Sequence, residues 1–372
     1  MTISYIELAT TGVQHLQPYL PGKPVDELER ELGISNSIKL ASNENPFGPS
    51  PLAIEAMQRN LDGINFYPDG GGYQLSRKIA ELHGIDASCV TLGNGSNDVL
   101  ELVTRAYLTP SHSAVFSEYS FAVYPIVVQA VGARAKIARA LPEDDTVMPL
   151  GHDAEAMLAA IDDDTRMVFI ANPNNPTGTW MDKDTIHELI SSIRDDIIVV
   201  LDLAYHEYMD DDERIDTAQW LSDFPNLLIT CTFSKIHALA GLRIGYGLSG
   251  PQIADVLNRV RQPFNTNLLA QAAALAALED EDYVKRSAEL NREGMHYIQQ
   301  QLDAASLRYL PSRGNFITIH FEREAMPLYE ALLQRGVIVR PVANYGLPEY
   351  LRVSIGTQEQ NVRFIDTLNE IL

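Results

Sequence analysis

The stretch TFSKIHALAGLRIGYG, residues 232–247, follows directly on the apolar run LLITC at 227–231. A lysine just past the end of a buried strand is poorly solvated, which lowers the pKa of its ammonium group and leaves an amine that can act as a nucleophile. Thr232, Ser234 and Arg243 offer hydroxyl donors and a guanidinium fork to the oxygens of a phosphate. The stretch therefore predicts a covalently held aldehyde that carries a phosphate. The alternative is a surface turn in which Lys235 is an ordinary lysine.

The composition is typical of a globular protein with two packed parts. At 372 residues the chain exceeds the usual size of a single core, which predicts two subdomains. Apolar residues make up 45% of the chain and charged residues 21%, and no apolar stretch approaches the roughly 20 residues that span a bilayer. We expect no signal peptide, because the start has neither a basic opening nor an apolar core. Cys89 and Cys231 are too few for a disulfide framework, so a reducing cytoplasm is expected.

The strong acidity of the chain limits its partners. The formal net charge is −22, which argues against nucleic acid or an anionic membrane surface. An anionic substrate would have to be collected by local arginines against an unfavourable overall field. The acidity identifies no function, and solubility alone would explain it.

The middle of the chain alternates between β-branched runs and helix-like stretches. This alternation predicts an α/β fold, in which a mainly parallel sheet is covered on both faces. Ligands of such sheets collect at the carboxyl ends of the strands. The predicted strands are 113–117, 134–138, 167–171, 197–202 and 227–231, and the predicted helices are 121–131, 152–161 and 182–193.

The pattern changes after Pro263 into one typical of α+β domains. The sequence therefore predicts a large domain over 38–263 and a smaller one built from 264–372 with the N-terminal arm, 1–37. The predicted helices are 268–278, 282–302, 325–334 and 358–371, and the predicted strands are 315–321, 337–340 and 351–355.

An acid ends one of the apolar strands. The run IIVVLD places Asp202 at the carboxyl end of a central strand, and Tyr205 follows three residues later. A carboxylate there is costly unless a cation meets it. A pyridinium nitrogen is a suitable partner, because a carboxylate keeps such a ring protonated and electron-withdrawing. A helix cap or turn aspartate is the alternative.

Two loops at strand ends carry further candidate ligands. In ANPNNPTG, residues 171–178, two prolines and a glycine restrict the loop, so Asn175 can be held in one direction to donate to an oxygen of the same ring. Gly95, Ser96 and Asn97 precede an apolar-periodic helix, where free N–H groups and the helix dipole favour an anion. A plain turn and a plain helix cap remain the alternatives.

Two tyrosines and two arginines complete the candidates. Tyr119 can lie flat on a planar cofactor, although core packing is the default for such an aromatic, and Tyr67 in an exposed-looking turn is equally ambiguous. Arg340 and Arg352 interrupt apolar runs in the smaller domain. Arginine suits a two-point grip on a carboxylate or phosphate, so the pair predicts an anion clamp for substrate.

Taken in this order, these motifs resemble those of the fold-type-I pyridoxal-phosphate aminotransferases over nearly the whole chain. The opening PYLPGKP at 18–24 and ASNENPFG at 41–48 narrow the resemblance to the histidinol-phosphate aminotransferases. The resemblance implies a three-layer αβα large domain with a mainly parallel sheet, and a smaller α+β domain. It implies pyridoxal 5'-phosphate as cofactor, no metal, and a homodimer.

Roles follow from the resemblance position by position. Lys235 is similar to the Schiff-base lysine, and Asp202 to the acid that pairs with the pyridine nitrogen. Tyr205 and Asn175 match the residues that bond the ring 3-oxygen. The remaining matches are Gly95, Ser96, Asn97, Thr232, Ser234 and Arg243 in the phosphate cup, Tyr119 as the stacking ring, Tyr67 reaching a neighbouring subunit's cofactor, Arg352 with Arg340 for the substrate anion, and Tyr19 and Asn315 near the substrate.

The sequence departs from the family pattern in two places. The acid is followed by LAY where Glu-Ala-Tyr is frequent, and no loss of chemistry is expected because the glutamate binds no cofactor. Ser117-Glu118 stands where a Pro-Thr pair is frequent. The second departure bears on the stacking role of Tyr119.

The implied reaction is two half-transaminations. L-Histidinol phosphate gives imidazole acetol phosphate, and 2-oxoglutarate gives L-glutamate, as in histidine biosynthesis. The alternatives are an aromatic or broad-specificity amino-acid aminotransferase and a decarboxylase of a phosphorylated amino acid. A DNA-binding regulator would need an extra N-terminal domain, for which only some forty residues precede Leu40.

Overall fold

The computed structural model describes residues 3–19 and 21–372. Residues 1–2 and Leu20 lie outside the described part, and Leu20 belongs to the motif at 18–24. In chain order the strands are β1 Ile38–Lys39, β2 Val90–Gly93, β3 Ser113–Ser117, β4 Arg134–Ala138, β5 Thr165–Ala171, β6 Ile198–Asp202, β7 Leu227–Thr232, β8 Gly245–Ser249, β9 Arg308–Leu310, β10 Phe316–His320, β11 Val337–Ile338, β12 Arg340–Pro341 and β13 Tyr350–Ser354.

Fourteen α-helices lie within the described residues, and none of them is long and apolar enough to cross a membrane. They are α1 Thr11–Gln14, α2 Val25–Leu32, α3 Pro51–Asn60, α4 Tyr73–His83, α5 Ser96–Tyr107, α6 Val123–Ala130, α7 Ala154–Ala159, α8 Lys183–Ser191, α9 Thr217–Asp223, α10 Pro251–Val260, α11 Leu268–Ala277, α12 Glu281–Ala304, α13 Met326–Gln334 and α14 Gln358–Ile371.

A seven-stranded sheet forms the centre of the molecule, in the order β2-β8-β7-β6-β5-β3-β4. The strands from β7 to β4 run parallel, and β8 is antiparallel to both of its neighbours. The predicted helices and strands in this part lie within two residues of their observed bounds. Because continuous apolar runs are buried on both faces of a parallel sheet, such strands are the easiest to find in a sequence.

Alternate residues of the sheet enter two different cores. In β6, Val199 and Leu201 pack on one face with α4, α8 and α11, whereas Ile198 and Val200 pack on the other with α5, α6 and α10. This arrangement follows from the period of two in a strand. The molecule therefore has the three-layer αβα architecture that the sequence predicts.

Strands β2 and β8 were not predicted. The sequence of β8, GYGLS, has two glycines, which weaken a strand pattern. Packing requires one of them, because a Cβ at Gly245 would lie 2.4 Å from the backbone nitrogen of Ser96. The glycine thus lets β8 approach the start of α5, where the predicted phosphate site lies.

A second core belongs to a four-stranded antiparallel sheet in the order β12-β13-β10-β9. Helices α12, α13 and α14 cover it, and Leu40 joins it from the N-terminal part of the chain. The single strand predicted at 337–340 is wrong. The chain pairs first with β1 through Val337–Ile338 and then with β13 through Arg340–Pro341, so it passes from one small sheet to another.

The division of the chain at 263/264 stays a prediction. Ala270, Ala273, Ala274 and Ala277 on α11 pack within the core of the large sheet. This packing favours a division between α11 and α12, after Ala277. The predicted arm contains α1 and α2, and Leu28 of α2 packs against residues from β11 and the segment after β1.

Candidate active site

A cavity of about 250 Å³ lies at the carboxyl ends of β5, β6 and β7, beside the first turn of α5. The position is the one where ligands of parallel sheets collect. Most of the predicted cofactor residues line it. The lining residues are Ser42, Glu44, Ser96, Asn97, Phe121, Ala171, Pro173, Asn175, Asp202, Ala204, Tyr205, Thr232, Ser234, Lys235, Ala240 and Arg243.

Lys235 follows β7 and its amine lies inside the cavity. Its Nζ donates a hydrogen bond to the carbonyl oxygen of Ser42 at 3.1 Å and lies 5.7 Å from the centroid of the Tyr205 ring. Burial, and then the positive charge of Arg352, lowers the pKa of Lys235 to about 7. A large fraction of this lysine is therefore a neutral, nucleophilic amine at neutral pH.

The lowered pKa of Lys235 gives a prediction of pH-dependent reactivity. Trace acetylation of the ligand-free protein by acetic anhydride should label Lys235 with a rate that rises with pH and levels off above a midpoint near 7. The sign follows because only the neutral amine reacts. Mass spectrometry of the peptide gives the rate, and a lysine peptide in solution, with its pKa of about 10.4, is the reference. A Lys235 profile that follows the reference would contradict the buried, neutral amine.

Asp202 ends β6 and is held by two hydroxyl groups. The phenol of Tyr124 donates to its Oδ2 at 2.9 Å, and the hydroxyl of Thr230 donates to its Oδ1 at 3.0 Å. Burial raises the pKa of Asp202, whereas the hydrogen bonds from Tyr124 and Thr230 lower it. A carboxylate at this position is suited to a cationic ring nitrogen, because the two opposite charges offset the cost of burial.

Tyr205 keeps its phenolic proton available for a ligand. Burial raises the pKa of Tyr205 to about 12, so the phenol is protonated at neutral pH. Asn43 donates from Nδ2 to the Tyr205 oxygen at 2.9 Å. Because that bond uses Tyr205 as an acceptor, the phenolic hydrogen can be donated to another oxygen. The amide of Asn175 lines the same cavity and is held by Arg352, which donates to its Oδ1.

The start of α5 and Arg243 form a cup for an anion. Gly95 is the N-cap of α5 with φ 85° and has no side chain with which to cap the first N–H groups. Arg243 donates from Nη1 to the hydroxyl of Ser234 at 3.2 Å and to the carbonyl oxygen of Ala240 at 2.9 Å. A Cβ at Gly95 would lie 2.4 Å from Nη2 of Arg243. The glycine therefore lets the guanidinium and the helix N-terminus converge, as a phosphate requires.

Arg340 and Arg352 are opposite each other on β12 and β13. Arg352 donates from Nη2 to the carbonyl oxygen of Ala41 at 2.8 Å, while its buried Nε has no hydrogen-bond partner within the described residues. The guanidinium of Arg340 lies 5.6 Å from the ring centroid of Tyr19. Neither arginine lines the cavity, so their role as a clamp for a substrate anion stays a prediction.

Asn315 connects the predicted substrate residues to the N-terminal segment. Its Nδ2 donates to the carbonyl oxygen of Asn43 at 2.9 Å, and its buried Oδ1 has no hydrogen-bond partner within residues 3–19 and 21–372. Asn43 in turn contacts Tyr205 through its side chain. Asn315 is thus one residue removed from the Tyr205 hydroxyl, and its substrate role stays a prediction.

Tyr119 and Tyr67 do not line the cavity. Tyr119 packs beside Leu150 and Leu310, whereas Phe121, two residues later, lines the cavity. Tyr67 has 83% of its surface exposed and stacks on Phe264 with ring centroids 4.6 Å apart. The stacking role of Tyr119 and the intersubunit role of Tyr67 both stay predictions.

Three residues that contact Asp202 or Tyr205 in the structure were not singled out from the sequence. Asn43 stood only within the motif ASNENPFG, and its contact with Tyr205 spans 162 positions of the chain. Tyr124 and Thr230 stand in apolar stretches, where an aromatic or a threonine is ordinary core. The strand register would have located one of them, because Thr230 is the partner of Asp202 in the β6–β7 pair.

The chain is similar to known proteins over nearly its whole length. The sequence profile of the family described as aminotransferase class I and II matches residues 35–368. A protein of Pseudomonas aeruginosa named histidinol-phosphate aminotransferase 2 is 55% identical over 370 residues, which are 99% of this chain and 98% of that protein. Histidinol-phosphate aminotransferase 1 of Nitrosococcus oceani is 48% identical over 368 residues, 99% of this chain and 98% of the relative. The crystal structure of histidinol-phosphate aminotransferase from Sinorhizobium meliloti in complex with pyridoxal-5'-phosphate is similar with a TM-score of 0.86 and 25% identity, covering 98% of each chain.

Proposed function

The chain belongs to the aminotransferase class I and II family, and on that premise we propose that it transfers the amino group of L-histidinol phosphate to 2-oxoglutarate with pyridoxal 5'-phosphate as cofactor. The products are imidazole acetol phosphate and L-glutamate. The observation that carries the proposal is the convergence of Lys235, Asp202 and Arg243 on one cavity. The names of the relatives at 48% and 55% identity support the choice of substrate.

The residues of the cavity fit the cofactor group by group. Asp202 would pair with the ring nitrogen, and Tyr205 with Asn175 would bond the ring oxygen. Arg243 and the first turn of α5 would hold the phosphate, for which Gly95 leaves the space. When bound, this cofactor acts as an electron sink for the carbon that carries the substrate's amino group.

Lys235 is the residue that moves a proton during the reaction. With a pKa that burial lowers to about 7, its amine can accept a proton from the substrate carbon and return it at a neighbouring position. The Tyr205 ring at 5.7 Å and the Ser42 carbonyl at 3.1 Å confine the amine to one side of the cavity. The carboxylate of Asp202, which lines the same cavity, would pair with the ring nitrogen throughout the reaction.

The arginine pair accounts for a substrate that carries an anion. Histidinol phosphate has a phosphate where amino acids have a carboxylate, so Arg352 and Arg340 must accept either group as the two substrates alternate. Within the part of the chain that the structure describes, the Nε of Arg352 has no hydrogen-bond partner, so this guanidinium has a donor that is not yet used. A planar guanidinium binds both anions through two parallel hydrogen bonds.

Steady-state kinetics test the proposed substrate. The purified protein with cofactor and 2-oxoglutarate should form glutamate from histidinol phosphate with a higher kcat/KM than from phenylalanine or tyrosine. Carbon dioxide is measured in parallel to detect a decarboxylase. A higher kcat/KM for an aromatic amino acid would show that the enzyme is an aminotransferase with a different preferred substrate. Release of CO2 without formation of glutamate would show that the enzyme is a decarboxylase.

We also propose that the protein acts as a cytoplasmic homodimer in which Tyr67 reaches the cavity of the partner subunit. Ile64, Phe66 and Tyr67 expose 65%, 72% and 83% of their surfaces, and Phe264 exposes 43% beside them. Exposed apolar patches of this kind mark interaction surfaces. The two cysteines, Cys89 and Cys231, are both free, which agrees with a reducing compartment.

The oligomeric state is testable by sedimentation together with activity. The wild-type protein should sediment as a dimer, and a charge placed in the patch, Phe66→Glu, should weaken both the dimer and the activity. An exposed aromatic outside the patch, Tyr5, provides the control Tyr5→Glu, since it is 80% exposed. A monomer with full activity would contradict the intersubunit role of Tyr67.

A further inference from the structure

We propose that Tyr124 is a positioning residue that fixes the carboxylate of Asp202 and keeps it ionised opposite the cofactor ring nitrogen. The inference rests on the proposed function, because it concerns the same cofactor site. No sequence motif singled out Tyr124, and it does not line the cavity itself. Its role would be exerted through Asp202.

The geometry leaves Tyr124 little freedom. Its side chain is fully buried on α6, and its ring stacks on Phe169 with centroids 4.7 Å apart and an interplanar angle of 15°. The Phe121 ring, which lines the cavity, meets it edge-on at 5.8 Å. Because the ring is clamped by these aromatic contacts, the hydroxyl is held 2.9 Å from Oδ2 of Asp202.

The direction of the hydrogen bond follows from the two acidities. Burial, and then the negative charge of Asp202, raises the pKa of Tyr124 well above its ordinary value, so the phenol keeps its proton and donates it. A phenol that donates to an ionised carboxylate forms a strong, charge-assisted hydrogen bond. The bond stabilises the ionised form of Asp202 against the effect of burial.

The bonds to Asp202 leave room for the cofactor. Tyr124 donates to Oδ2 and Thr230 to Oδ1, and the backbone N–H of Ala204 also donates to the carboxylate, which makes three donors. An ionised carboxylate has about four lone-pair sites, so a ring N–H can still be accepted. The two hydroxyls thus set the orientation of the carboxylate without competing with the ring.

Tyr124→Phe removes the hydroxyl and keeps the clamped ring. We expect the dissociation constant of pyridoxal 5'-phosphate to rise about 10-fold, as loss of a hydrogen bond to a charged group predicts. The acidic limb of the activity profile should move to higher pH, because Asp202 then takes up a proton more readily. A cofactor analogue with a C–H in place of the ring nitrogen should bind the variant and the wild type within about twofold.

Two comparisons separate positioning from a general structural effect. In the Asp202→Asn background, Tyr124→Phe should cause little further loss of affinity, because the charge on which it acts is gone. Tyr297→Phe on α12 removes a phenol hydroxyl beside the core of the four-stranded sheet. It should leave the affinities for the cofactor and for the analogue unchanged. Thr230→Val removes the other hydroxyl donor to the same carboxylate, and the same selective loss of affinity is expected. It keeps the role of the hydroxyl donors testable if Tyr124→Phe fails to fold.

The inference is overturned if Tyr124→Phe binds the cofactor as the wild type does, or if Thr230→Val does so in the case that Tyr124→Phe fails to fold. It is equally overturned if these substitutions weaken the binding of the cofactor and of the analogue by the same factor. The same holds if the loss of cofactor affinity persists undiminished in the Asp202→Asn background. Failure of the wild-type protein to bind the cofactor at all would instead refute the proposed function. The two failures are therefore distinguishable in one set of titrations.

Discussion

Lys235→Ala is expected to reduce turnover by about 10³-fold or more, since the variant loses both the nucleophile and the group that moves the proton. Both roles depend on one amine, whose pKa burial lowers to about 7. The measurement is glutamate formation at saturating substrates. In a second measurement, borohydride reduction of the cofactor-loaded wild type should leave the cofactor's mass on the peptide that contains Lys235 and on no such peptide of the variant.

A lysine outside the site provides the control for this substitution. Lys285 lies on α12, is 72% exposed and pairs with Glu281 at 3.5 Å. Lys285→Ala should therefore keep wild-type turnover and wild-type labelling. Retained turnover in Lys235→Ala would mean that the nucleophile lies elsewhere, and an unlabelled wild type with added cofactor would reject the enzyme function.

Asp202→Asn is expected to lower kcat by about 10²- to 10³-fold, which is typical of removing one electrostatic stabiliser from a buried site. Asparagine keeps the size of the side chain, but only its Oδ1 can accept a hydrogen bond, so the variant loses the charge together with one of the bonds from Tyr124 and Thr230. Without the carboxylate the ring nitrogen is no longer kept protonated. The loss should appear in kcat for both half-reactions, because each uses the same electron sink.

The matching control is an aspartate that faces solvent. Asp163 is exposed in the turn between α7 and β5, so Asp163→Asn should change kcat by less than about twofold, as surface substitutions usually do. A wild-type kcat in Asp202→Asn would show that the acid has no role in the chemistry. Circular dichroism of both variants establishes that the fold is intact.

Much of the fold follows from local patterns. The runs that became β3, β5, β6 and β7 are apolar because they are buried on both faces, so their bounds were predicted within two residues. Strand β8 was not predicted because its close packing against α5 requires a glycine at position 245, and glycine weakens a strand pattern. The strand predicted at 337–340 was wrong because an apolar run reports burial and does not report which sheet receives it.

The candidate site was likewise predictable from the sequence only in part. The sequence alone determined which residue types stand at the ends of β5, β6 and β7, and so placed Asn175, Asp202 and Lys235 at one edge of the sheet. Only the tertiary structure decided their partners. Tyr124 reaches Asp202 across 78 positions, Asn43 reaches Tyr205 across 162, and Arg352 reaches Asn175 across 177.

The physical reason is the range of the interactions. Hydrophobic periodicity and turn chemistry depend on a few neighbouring residues, so they can be recognised from the sequence alone. The protonation of Lys235 and the orientation of the Asp202 carboxylate depend on burial and on side chains that only folding brings near. The sequence determined which groups are available for the chemistry, and the tertiary structure decided their charge and direction.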